Sequence, residues 1–272
     1  MTDTFTEAER RAESAESLSA FSGLKLLHVK RQLQILLSLI GRNGVFDEYT
    51  LHDVSHINAM LTSLDWIIPD GTKAIMTAAD WLISVLGVYF HDLGMLVTRE
   101  EFEQRGSSDF PGFVDQILYA GDRGTDYRAH LGQLLPERRE RFLYQEFVRY
   151  HHAERIKWWV MGQAPLHLGS THAAMHEVDS LLGTLDPQFR RDLGLVCESH
   201  HRDDLGDFGK YQTSRPYGPS SGETANLHYA CILLRSADLL HITGGSHALC
   251  GVSHHQPRRP AKSTGMGEAD GG

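Results

Sequence analysis

Apolar residues recur every three or four positions along most of this chain and almost nowhere alternate. Such spacing gathers side chains on one face of an α-helix, whereas strict alternation would place them on one face of a strand. Residues 4–18 read as a polar helix, and LKLLHVKRQLQILLSLIG (24–41) as a second that stops at Gly41 and Gly44. A third enters near Thr50, continues through LHDVSHINAMLTSLDWII and ends at Pro69, Asp70 and Gly71; a fourth runs from about Thr72 to Leu93. The glycine-rich stretch GSSDFPGFVDQILYAGDRGTDYRAHLGQLLP suits two short helices with loops. After Pro136 the helical pattern resumes in ERRERFLYQEFVRYHHAERIKWWVMG, then in HAAMHEVDSLLGTL, PQFRRDLGLVCESHHRDDL and ANLHYACILLRSADLLHIT. No segment alternates as a sheet requires. The expected class is all-α, with eight to ten helices in one domain.

Two segments break the pattern. DFGKYQTSRPYGPSSGETA (207–225) is polar and long enough to serve as a lid. From about Gly244 the text, ending GVSHHQPRRPAKSTGMGEADGG, has no apolar periodicity and predicts a disordered tail. The organisation expected is an N-terminal helical extension (1–44), a main helical domain (45–243) and the tail (244–272).

The fourth helix poses a chemical question. Its apolar run from Trp81 to Phe90 ends in the adjacent pair His91-Asp92, within LGVYFHDLGM. A buried imidazole and carboxylate are costly unless hydrogen-bonded, paired or coordinated. The 17 histidines of the chain, many beside apolar runs, make a metal site worth testing. His52 and His56 share one helix face, and His56 is preferred because its register continues through Ile57, Met60 and Leu64; Asp53 lies on another face. Asp238 sits inside the apolar helix CILLRSADLLHI, where only Arg235 offers a local partner, so a plain Arg235–Asp238 pair is the alternative to coordination. Histidine and carboxylate donors on three helices suit manganese, iron, zinc, cobalt or nickel. Two further doublets, His151-His152 and His200-His201, can each supply one inward and one outward ring if helical.

Composition narrows the field. With 41% hydrophobic residues the chain can build a core, and net charge −9 argues against nonspecific nucleic-acid or membrane-surface binding. Three cysteines, Cys197, Cys231 and Cys250, none in a CxxC pair, fit a reduced compartment without bridges. The polar, acidic start is unlike a signal peptide, and the apolar runs are shorter than the ~20 residues of a membrane helix. A cytoplasmic location is expected.

The order His56, His91-Asp92, Asp238, each on a helix, resembles the HD-domain superfamily of metal-dependent phosphohydrolases over about residues 45–243. FDEYTLHDVSH, FVRYHHAER, SHHRDDL and LLRSADLLHIT look most like the HD domains of prokaryotic conflict systems, often followed by a histidine-kinase-like ATPase module. The resemblance implies an all-helical HD-type domain and a divalent ion (Mn, Fe, Co, Ni, Zn or Mg) held by His56, His91, Asp92 and Asp238. It also implies hydrolysis of a phosphoester, commonly in a nucleotide. Relatives with extra histidines between doublet and last aspartate hold a second ion, and His152 with His200 or His201 falls where those would come. No GYP triplet follows the doublet, which argues against a cyclic-dinucleotide phosphodiesterase. No ATPase module follows Asp238, so a possible partner module is absent from this chain; a naturally single-domain protein and a shortened one would both look like this.

A divalent ion lowers the pKa of bound water from ~15.7 towards ~7 and polarises a phosphoryl oxygen. Phosphate also needs cations, for which Arg149, Arg155, Arg202, Lys210 and Arg215 are candidates, each with a solvated cation as the plainer alternative. Asp203 or Asp204 can donate a proton or orient a ligating histidine. The expected catalytic set is His91, Asp92, Arg149 and Asp203, and the expected metal set is His56, His91, Asp92, His152, His200, His201 and Asp238. The substrate is a small phosphorylated molecule, in the first instance a nucleotide. The rival function is a non-catalytic HD module that senses a nucleotide or partner in a conflict or stress response; oxidation at a di-iron centre is a third.

Overall fold

A computed structural model of the chain describes residues 5–39, 54–119, 121–169 and 172–245. The expected contributions of His52 and Asp53, Cys250 and the tail beyond residue 245 lie outside them. Twelve α-helices occur among the described residues: α1 (Glu7–Glu13), α2 (Leu26–Leu39), α3 (Val54–Ile67), α4 (Asp70–Lys73), α5 (Ala78–Phe90), α6 (Arg99–Glu103), α7 (Phe110–Leu118), α8 (Gly121–Gln133), α9 (Pro136–Val160), α10 (His172–Leu182), α11 (Pro187–Ser199) and α12 (Leu227–Gly245). A two-residue antiparallel pair, β1 (Arg215–Pro216) with β2 (Thr224–Ala225), is the only sheet among them. The all-α expectation stands, with more helices than the eight to ten anticipated.

The extra helices come from local caps that periodicity does not register. The expected helix from Thr72 to Leu93 is two, because Thr77 opens α5 as an N-cap. Its hydroxyl accepts from Asp80 N at 3.0 Å while the Asp80 carboxylate accepts from Thr77 N at 2.8 Å. Such a reciprocal box satisfies two of the donors that a helix start leaves unpaired. From Ala79 to Phe90 every residue of α5 is buried. A helix apolar all round belongs in the middle of a core, and α5 is packed by α1, α3, α11 and α12.

The segment 207–225 is a strap and not the free lid its composition suggested. Arg215 and Tyr217 both donate to Asp192 on α11, at 2.8 and 3.0 Å. Glu223 accepts from Ser19 Oγ and Ala20 N at 2.6 and 2.8 Å, while the Thr224 carbonyl accepts from Thr77. The polar residues therefore tie the loop to α11, to the N-terminal segment and to the start of α5. Cys197 and Cys231 are free and buried. Among the described residues no helix is long and apolar enough to cross a membrane.

Candidate metal centre

The HD pair sits where α5 runs out. His91 caps the helix, its N–H donating to the Gly87 carbonyl, and Asp92 begins the short turn Leu93–Met95. His91 Nδ1 lies 2.9 Å from the Val88 carbonyl, three residues back on its own helix. The same device recurs twice: His152 Nδ1 is 2.7 Å from the Arg149 carbonyl, and His200 Nδ1 is 2.5 Å from that of Cys197. A carbonyl accepts only from N–H, so these bonds assign the proton to Nδ1 and leave the Nε2 lone pair pointing away. Three helices thus present three oriented rings.

Their Nε2 atoms gather around one carboxylate. Asp92 Oδ2 is 2.9 Å from His91 Nε2 and 3.5 Å from His56 Nε2. Asp92 Oδ1 is 3.4 Å from His152 Nε2 and 3.9 Å from His200 Nε2. His56 Nε2 lies 3.9 Å from Asp238 Oδ1. The donor atoms of His56, His91 and Asp238 fall within 4.8 Å of one another, and so do those of His152, His200 and His201. Two donor groups therefore flank Asp92, one against each oxygen. Ligand atoms each about 2.1 Å from a shared ion stand roughly 3–4 Å apart, which is the spacing seen here.

Two details test the fit of a cation. His91 Nε2 is fully buried and faces Asp92 Oδ2 at 2.9 Å. His152 Nε2 and His200 Nε2 face each other at 2.9 Å. With both Nδ1 atoms donating elsewhere, that approach sets two lone pairs against each other and is relieved by a positive charge between them. Burial, with His152, holds His200 well below the usual imidazole range and brings His201 down to about 3, so both are neutral donors. Burial also opposes protonation of His91, but the carboxylates of Asp92 and Asp238 outweigh it and raise that ring to about 9. The pocket draws positive charge, and its nitrogen and oxygen donors suit a divalent transition metal.

The doublets behave differently from each other. In His151-His152 the 100° step of a helix holds: His152 turns inward, and His151 packs its ring on Phe147 at 4.7 Å and on Tyr150 at 4.8 Å. In His200-His201 both rings join one group, because α11 ends at Ser199 and the chain leaves it in a turn.

The remaining expected residues are dispersed. Arg149 is exposed and pairs with Glu146 at 3.2 Å; Asp203 is exposed, whereas Asp204 accepts from Lys210 and Tyr211. Arg155 is not a phosphate-binding cation but a fully buried structural one. Its two Nη atoms donate to the two Glu101 oxygens, at 2.6 and 3.1 Å, and to the carbonyls of Leu168 and Leu96. Arg202 is held by Glu198 and Arg215 by Asp192. The Arg235–Asp238 pair does not form; Arg235 reaches the carbonyl of Arg202 instead.

One contributor escaped the sequence reading, although its signal was present as the glycine of HDLG. A Cβ on Gly94 would stand 2.0 Å from the carbonyl oxygen of His152. Only a glycine lets the turn after Asp92 lie directly on the backbone of α9, and that contact sets Asp92 against His152. Gly94→Ala is expected to cost about 1–3 kcal/mol as the two backbones part, with less metal retained. Denaturant unfolding and metal analysis read both, and wild-type values in both would refute the contact's importance.

No curated protein and no solved structure matches this chain. Among protein families, residues 46–245 match HD-CE. With the match spanning α3 to α12 and every residue of both donor groups, the chain belongs to the HD-CE family.

Proposed function

We propose that this chain is a metal-dependent phosphohydrolase acting on a nucleotide or related phosphoester. The observation that carries the reading is Asp92, whose two oxygens face two separate groups of imidazoles. His56, His91, Asp92 and Asp238 would hold one divalent ion, and Asp92 with His152, His200 and His201 a second. When bound, such ions supply Lewis acidity towards water and towards phosphoryl oxygens. The chain's own part is to orient. The Val88, Arg149 and Cys197 carbonyls fix three rings so that no reorganisation accompanies binding. The wall of α5 excludes water from one side and strengthens the field of the charges inside. Asp238, with 20% of its side chain exposed against 7% or less for His56, His91, Asp92, His152 and His200, supports an approach of substrate from its side.

Metal analysis of the purified protein, followed by assays with manganese, cobalt and nickel against nucleoside mono-, di- and triphosphates, cyclic nucleotides and a generic phosphoester, tests this. Metal-dependent release of phosphate or nucleoside is expected. Folded, metal-loaded protein that binds nucleotide and releases no product would instead mark a sensing module.

A further inference from the structure

Most basic side chains around the proposed centre are already committed to carboxylates. Lys157 and Arg202 hold Glu198, Lys210 holds Asp204, Arg215 holds Asp192, Arg149 holds Glu146 and Arg155 holds Glu101. Arg235 differs. Its Nη1 donates to the Arg202 carbonyl at 2.8 Å, and among the described residues it forms no ion pair. That single bond leaves the Nε–H and Nη2–H edge of the guanidinium, the fork that matches two oxygens of a phosphate.

The position of Arg235 is as telling as its partner. On α12 it stands one turn before Asp238, and residues three apart share a helix face. Its anchor, Arg202, directly follows His201. The half-buried guanidinium is thus rooted one turn from Asp238 of one donor group and bonded to the carbonyl next to His201 of the other.

We infer that Arg235 is the substrate-binding cation of this centre, its fork taking two nonbridging oxygens of the substrate's phosphoryl group. The inference rests on the phosphohydrolase reading above and names how that site recognises its substrate class. The carbonyl of Arg202 is the positioning contact: it holds one nitrogen and so aims the other edge.

The test uses the full, metal-loaded chain with inorganic phosphate as probe, comparing wild type with Arg235→Met and Arg235→Lys. Calorimetry reads phosphate affinity, elemental analysis reads metal, and thermal unfolding reads the fold. Arg235→Met should retain its metal and melting temperature while phosphate affinity falls about tenfold or more, the scale of a lost hydrogen bond to a charged group. Arg235→Lys keeps the charge and loses the fork, so it should recover only part of the affinity; it also carries the measurement should the methionine variant be unstable. Phosphate affinity within about twofold of wild type in both variants, metal retained, would overturn the assignment. So would a loss that merely follows lost metal, or a metal-loaded wild type that binds no phosphate. Hydrolysis with an unchanged KM in Arg235→Met removes Arg235 and leaves the hydrolase standing. Phosphate binding that depends on Arg235, in a wild type that hydrolyses nothing, keeps the subsite and removes the hydrolase.

Discussion

An Asp92→Asn protein should fold with its helices intact, bind little metal at either donor group and lose phosphoester hydrolysis. Asparagine is nearly isosteric with aspartate, so the turn after α5 keeps its shape, and the change is mainly one of charge. That charge is shared: one oxygen lies beside His56 and His91, the other beside His152 and His200. Removing groups that merely orient metal ligands typically costs about 10–100-fold in affinity or activity, so loss of a ligand facing both groups should exceed about 100-fold. Asp238→Ala is the comparison. It strips one carboxylate from the His56–His91 group and leaves the His152–His200–His201 group complete, so its metal loss should be partial. Elemental analysis with circular dichroism decides. Wild-type metal content in Asp92→Asn would remove the aspartate from the centre, and equal losses in both variants would argue for one ion instead of two.

The second large effect is on stability. Arg155→Met should destabilise the fold by about 3–5 kcal/mol, because it leaves the buried Glu101 carboxylate without its cation. Arg155 and Glu101 are 0% and 2% exposed, and the carbonyls of Leu96 and Leu168 lose a donor as well. Tyr144, which donates to Glu101 at 2.9 Å, remains but supplies no charge. Adding Glu101→Leu should restore much of the loss, since a buried pair replaced by apolar side chains is often near neutral. Chemical denaturation of the single and double variants measures this. Unchanged stability in Arg155→Met, with a raised KM for substrate, would return Arg155 to the role of phosphate-binding cation.

The contrast between Asp92 and Arg155 marks how far the chain could be read before its structure was seen. Helical periodicity is a local property, carried by neighbours three and four residues apart. It therefore disclosed an all-α class and the buried helix ending in His91-Asp92. The same register argument turned His56 inward with Ile57, Met60 and Leu64, all of which are buried. Asp238 was noticed because a carboxylate among apolar residues needs a reason.

What pairs with what was not local. Arg155 finds Glu101 across 54 positions, and Arg215 finds Asp192 across 23, so neither could be told from a phosphate-binding cation by its neighbours. The strap looked like a lid because composition does not say which polar groups are tied down. Capping at Thr77 depends on one hydroxyl and one carboxylate, too small a signal to interrupt a hydrophobic pattern. The sequence by itself determined the all-α class and singled out the candidate donors, since both follow from residue type and short-range spacing. Only the tertiary structure decided that the candidate donors form two groups about Asp92 and that Arg235 bonds the Arg202 carbonyl and not Asp238, because side-chain destinations are set by how distant helices pack.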